Sequence, residues 1–101
     1  MYIAMNRFQV KRGDEQTFVE IWRARDSHLK EVPGFVDFHL LRGPQTDTYT
    51  LFASHTVWAS QQAFIDWTHS QAFRQAHANA GKTPRDIYLG PPQLECFEAV
   101  L

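Results

Sequence analysis

The sequence predicts an α+β fold with the element order β-α-β-β-α-β. Three observations carry this. Four segments rich in β-branched and aromatic residues alternate with two segments of helical periodicity. Pro33-Gly34 and Gly81 stand where the two helices would stop. GPQTD, at 43–47, separates the middle two strand-like segments closely enough for an antiparallel hairpin. This is the ferredoxin-like arrangement, an antiparallel sheet with both helices on one face.

The elements follow in order. Residues 2–10 (YIAMNRFQV) read as a strand that ends before Gly13-Asp14. Asp14 is placed to cap a first helix running to about residue 31. Residues 35–42 (FVDFHLLR) and 48–58 (TYTLFASHTVW) form the hairpin strands. Ser60 or a neighbour opens a second helical region, which runs through Trp67, breaks near Ser70 and resumes to about Ala80. Residues 81–92 form a Pro/Gly-rich loop long enough to serve as a lid or binding loop. Residues 93–100 (QLECFEAV) supply the last strand.

Length and composition set the frame. At 101 residues the chain makes a single domain, 1–101, with a modest core. Aromatics make up 14% of it, enough to fill a core and line a flat apolar pocket. The two helices cover one sheet face and nothing else in the sequence covers the other, which predicts a homodimer packed sheet to sheet. The net charge is -1 and there is no basic tract, which argues against nucleic acid and anionic membrane as partners. No apolar run approaches the roughly 20 residues of a membrane-spanning helix, and no signal peptide opens the chain. These features point to the cytoplasm. The single cysteine, Cys96, reads as a small core residue.

Three polar residues interrupt apolar faces. Helical periodicity groups His77 with Phe73, Ala76 and Ala80. Two readings stand: a core histidine bonded to a carbonyl, or a ligand to a heme iron with small alanines leaving room for a flat macrocycle. His28, His39, His55 and His69 show no metal-ligand spacing, which leaves a zinc site unsupported. Strand alternation puts Asn6 on one face with Tyr2, Ala4, Phe8 and Val10. It is either an amide bonded within the sheet or a donor aimed at a ligand. Arg25 falls within a helical stripe of Phe18, Ile21, Trp22 and Leu29. It either snorkels to solvent or meets a ligand carboxylate. Trp67, with Ala63 and Phe64, reads by itself as core.

AMNRF (4–8), EVPGF (31–35) and TVWASQQAFIDWTHSQAFRQAH (56–77) together resemble the IsdG-type heme-degrading monooxygenases of the antibiotic-biosynthesis-monooxygenase (ABM) superfamily. The resemblance covers nearly the whole chain and is weakest in 81–92. It implies a dimeric α/β barrel that binds heme as both cofactor and substrate. It further implies that His77 is the axial ligand, and that Asn6 donates a hydrogen bond on the distal side. Trp67 would distort the porphyrin, and Arg25 would lie near the propionates. Electrons would come from a separate reductase, since no flavin or nicotinamide motif is present. The products implied are a bilin-type tetrapyrrole and free iron, as in iron acquisition. Two other functions fit the same residues: a cofactor-independent quinol or polyketide monooxygenase, and a non-enzymatic heme carrier or sensor.

Overall fold

A computed structural model of the chain describes residues 1–25, 29–71, 73–74 and 85–101. Its strands are β1 (Tyr2–Lys11), β2 (Phe35–Gln45), β3 (Tyr49–Trp58) and β4 (Gln93–Glu98). The helices are α1 (Glu15–Ala24) and α2 (Gln61–Thr68). The sheet order is β2-β3-β1-β4, and all pairings are antiparallel. The ferredoxin-like α+β expectation holds, with β1 and β3 as the central strands.

The alternation expected in β1 is observed. Ala4, Phe8 and Val10 are buried on the helix-facing side, with Tyr2 and Asn6 half-buried beside them. Opposite residues on antiparallel strands share a face. Register therefore adds Thr50, Phe52, Ser54, Thr56 and Trp58 from β3 to that side. The other face carries Ile3, Met5 and Arg7 from β1, Leu51, Ala53, His55 and Val57 from β3, and Glu95 and Phe97 from β4. No described element packs over it, and Phe97 is 49% exposed there.

Helix α1 is shorter than its apolar stripe suggests. It stops at Ala24, and Arg25 is extended at φ -71° and ψ 128°. The following Asp-Ser-His run has weak helix propensity, and Asp and Ser favour caps over helix interiors. A short 3₁₀ turn at Leu29–Glu31 leads into β2. The expected Asp14 side-chain cap is also absent. The Glu15 carboxylate instead accepts from the Gly13 N–H at 2.7 Å. At α2 the Ser60 hydroxyl does cap, accepting from the Ala63 N–H at 3.1 Å. The break near Ser70 is present: α2 ends at Thr68, and Gln71, Phe73 and Arg74 are helical again.

Gly34 has φ +84°, a conformation that glycine adopts without steric penalty. A Cβ at this position would overlap the Ala63 side chain. The Gly34 carbonyl also accepts from the Ala59 N–H at 2.8 Å, which fixes the entry to α2.

The docking of the 81–92 loop and the setting of Cys96 complete the fold. The described part of the 81–92 loop docks on the core at Ile87. Arg85–Ile87 form a 3₁₀ turn that buries Ile87 to 5% exposure. Tyr88 bridges to Val10, and the Leu89 N–H donates to the Gln9 carbonyl at 3.0 Å. Cys96 is exposed, not core. Its register opposite Ala4 turns it toward the helix side, but β4 is an edge strand and no described helix residue covers it.

Candidate active site

The helix-facing side of the sheet holds two separate aromatic clusters. Toward one end, α1 places Phe18 against Phe8 at 5.3 Å and against Phe52 at 4.8 Å. Trp22 stacks on Phe38 from β2, with centroids 5.9 Å apart and planes 17° from parallel. Toward the other end, α2 sets Trp67 over Trp58 at 5.3 Å and Phe64 near Tyr2 at 5.6 Å. Phe73 meets Trp67 edge-on at 4.8 Å. These ring contacts tie α2 to one end of the sheet, whereas Trp22 carries α1 from Phe8 across to Phe38, beside Thr56. Tyr2 and Phe8 are six residues apart along β1, a span of about 20 Å.

Between the clusters lies a band of small and polar side chains: Ala4 and Asn6 on β1, Ser54 and Thr56 on β3. Its flanks are Phe38 and Leu40 of β2 and Leu94 of β4. Ala4, Ser54 and Thr56 are buried. The Thr56 hydroxyl donates to the Ala4 carbonyl at 3.0 Å. The half-buried Asn6 amide has no hydrogen-bond partner among the described residues. Trp22 Nε1 and Trp58 Nε1 are buried and also lack partners among them.

Arg25 stands at the α1 end of this band. Because the helix has already ended, its side chain folds back, and the guanidinium carbon lies 4.1 Å from the Trp22 ring centroid. This is cation–π geometry. Burial pulls the guanidinium down from its ordinary pKa, and the nearby Tyr88 hydroxyl acts in the opposite direction. Tyr88 is raised by its own burial and lowered again by the Arg25 charge. Arg25 has no carboxylate partner among the described residues. A half-buried cation of this kind is a ready anchor for a ligand carboxylate.

The site residues expected from sequence are thus distributed as follows. Asn6, Trp67 and Arg25 lie on the same side of the sheet, Asn6 in the band, Trp67 in the α2 cluster and Arg25 at the α1 end. His77 lies outside the described residues. His55 and His39 pair on the opposite face of the sheet, and His69 is exposed at the end of α2. Among the described residues no three His, Cys, Asp or Glu side chains cluster as metal ligands. Ser54, Phe38 and Tyr88 were not singled out from sequence. Alternation along 48–58, with Asn6 known on the facing strand, contained the signal for Ser54. Phe38 and Tyr88 gave none.

The described side chains fit a flat, largely apolar ligand that bears a carboxylate. Aromatic walls bound the band, polar groups lie on its floor, and a cation stands at one end. An iron-bearing ligand would also need an axial donor, and the helix-facing side has no described histidine to supply it. His77 is the sequence's candidate for that position.

Comparison with known proteins places this geometry in context. A family model described as antibiotic biosynthesis monooxygenase matches residues 1–79. A heme-degrading monooxygenase of Bacillus cereus is 28% identical over 87 residues, spanning 86% of this chain and 80% of that protein. The heme degrader MhuD of Mycobacterium tuberculosis, solved with two hemes bound in its active site, is 29% identical. It superimposes with a TM-score of 0.73 over 100% of this chain and 97% of its own. SnoaB, a cofactor-independent oxygenase of Streptomyces nogalater, shares the fold at 21% identity. Its TM-score is 0.68, over 99% and 93% of the two chains.

Proposed function

The chain belongs to the antibiotic biosynthesis monooxygenase family, and from that premise we propose that it is a heme-degrading monooxygenase, opening the porphyrin with O2 and externally supplied electrons. The observation that carries the reading is the Asn6 amide, without a partner among the described residues, on the floor between aromatic walls, with the half-buried Arg25 cation at one end. Similarity to heme-degrading relatives, at 28% and 29% identity, supports it.

Heme would be the substrate and would bring the iron at which O2 is activated. The chain would bind, orient and shield it. His77 would ligate the iron through a neutral imidazole, and Asn6 would donate a hydrogen bond on the distal side. Trp67, backed by Trp58 and Phe73, would press on the porphyrin face from a support that cannot recede. Arg25 would hold a propionate. Iron and a bilin-type product would be released, and a separate reductase would supply the electrons. A second copy of the chain would cover the open sheet face, where Ile3, Met5, Leu51 and Val57 surround the buried Ala53. Among the described residues no helix is long and apolar enough to cross a membrane.

The test is a visible-absorption titration with hemin, followed by reductant in air. A saturable Soret band that bleaches as a bilin absorption appears is the expected result. Saturation without bleaching refutes degradation and leaves a carrier or sensor. No saturable band refutes heme as the ligand and leaves a cofactor-independent oxygenase.

A further inference from the structure

Three hydroxyl-bearing residues of β3 face the helices: Thr50, Ser54 and Thr56. Two of them have structural partners. The Thr50 hydroxyl donates to Glu15 at 3.0 Å, and the Thr56 hydroxyl donates to the Ala4 carbonyl at 3.0 Å. Ser54 is 8% exposed and has no hydrogen-bond partner among the described residues. Its position is specific. It sits mid-strand in β3, directly opposite Asn6 in the pairing of the two central strands. Side chains of such a pair have Cβ atoms about 4.5–5.5 Å apart and point the same way. The sheet centre therefore carries an amide and a hydroxyl side by side, neither paired with another described residue, with apolar walls on either side. Asn is depleted in strands, and neither side chain has a hydrogen-bond partner among the described residues. An amide and a hydroxyl left open side by side at the sheet centre offer a place for a ligand atom.

We propose that Ser54 is a second hydrogen-bonding residue of the active site, sharing with Asn6 a single polar atom of the bound ligand. The proposal rests on the functional reading above and deepens it. Two short donors on neighbouring strands converge on one oxygen or nitrogen atom, and neither has to leave its place in the sheet. The rigid central strands hold both groups in position before the ligand arrives, so little ordering is required on binding.

The test uses the full chain and three variants: Ser54→Ala, Ser54→Thr and Asn6→Ala. Thermal unfolding of the ligand-free protein comes first. Ser54→Ala should leave Tm unchanged or raised, because the hydroxyl bonds no other described residue. Azide affinity of the hemin-loaded ferric protein comes second, read from the Soret shift. Ser54→Ala and Asn6→Ala should each weaken azide about three- to tenfold, the worth of one hydrogen bond. Ser54→Thr should stay near the starting protein. Unchanged azide affinity in Ser54→Ala overturns the proposal. A Tm that falls together with affinity also overturns it, since it would make Ser54 structural. If hemin gives no Soret band, the heme reading itself has failed. The same variants are then titrated with dithranol, a tricyclic phenol, by tryptophan quenching. The same order of affinities supports the shared site, and equal affinities overturn it.

Discussion

Removing the Arg25 cation tests whether the α1 end of the site recognises a carboxylate. Arg25→Met keeps much of the stem's volume and its contact with Trp22 but deletes the charge. An exposed ion pair is worth about 0–1 kcal/mol, whereas breaking a buried pair costs about 3–5 kcal/mol. Arg25 is half-buried and has no acid partner of its own among the described residues. Its contact with a ligand carboxylate should fall between these limits, at about 1–2 kcal/mol after solvent screening, which is roughly five- to thirtyfold in affinity. The assay is a pair of Soret titrations, with hemin and with its dimethyl ester. The starting protein should prefer the free acid by about that factor, and Arg25→Met should bind both alike. The preference should also shrink with added salt. The loss of the cation–π contact, at 4.1 Å, should lower stability by only about 0.5–1 kcal/mol. An Arg25→Met protein that still prefers hemin over the ester would refute the assignment.

Other outcomes follow from the same geometry. Gly34→Ala forces a side chain into φ +84° and against Ala63. Left-handed strain of about 1–2 kcal/mol and overpacking of about 1–3 kcal/mol should lower Tm by roughly 10 °C or more. Adding Ala63→Gly should restore only the packing part, and a shift of a degree or two in urea or thermal melts would contradict this. The Glu15 carboxyl is held below its usual pKa, first by its own backbone N–H and then by the Thr50 hydroxyl, with Gly13 and Gln45 adding to the effect. A depressed folded-state pKa contributes stability above the unfolded value of about 4.3, and that contribution is lost as pH falls through the folded value. The Tm gap between the starting protein and Glu15→Gln should therefore be widest near neutral pH and close in acid; a gap that widens in acid has the wrong sign. Ile87→Ala should cost about 2–5 kcal/mol in chemical denaturation, and a negligible loss would mean that the loop does not close the core. His77→Ala should abolish heme turnover, and normal bleaching of the Soret band by that variant would remove His77 from ligation.

The sequence made the sheet and the hairpin legible because strand alternation is a strict two-residue code. Tyr2, Ala4, Asn6, Phe8 and Val10 share a face as read. It was less informative at helix ends, which depend on local competition that periodicity does not report. Phe18, Ile21, Trp22 and Leu29 fit one helical stripe, yet the helix stops at Ala24 and Arg25 turns back over Trp22 instead of lying in the stripe. Cys96 shows a related limit. Alternation gave its face, but its exposure depends on its position at a sheet edge. Ile87 shows the converse, an apolar residue in a Pro/Gly-rich segment whose burial depends on tertiary docking against β1. Ser54 was hidden because a small hydroxyl in a strand is unremarkable until its cross-strand partner is known.

The stability of this small sheet and its chemistry make opposing demands on the same strands. A central strand pair is normally where β-branched and aromatic side chains contribute most, through packing on both neighbours. Here the middle of β1 and β3 on the helix side is given to Ala4, Asn6, Ser54 and Thr56, which pack little apolar area. The large rings are placed at the two ends, where Trp58, Phe18 and Phe52 are essentially fully buried. Helix α2 is anchored by its own aromatic cluster, and α1 reaches beside the band through Trp22, stacked on Phe38 next to Thr56. Filling the band with larger apolar side chains should therefore raise Tm and abolish ligand binding together, with Ser54→Val as the simplest case. Stabilisation without loss of binding would show that the polar floor is not where the ligand sits.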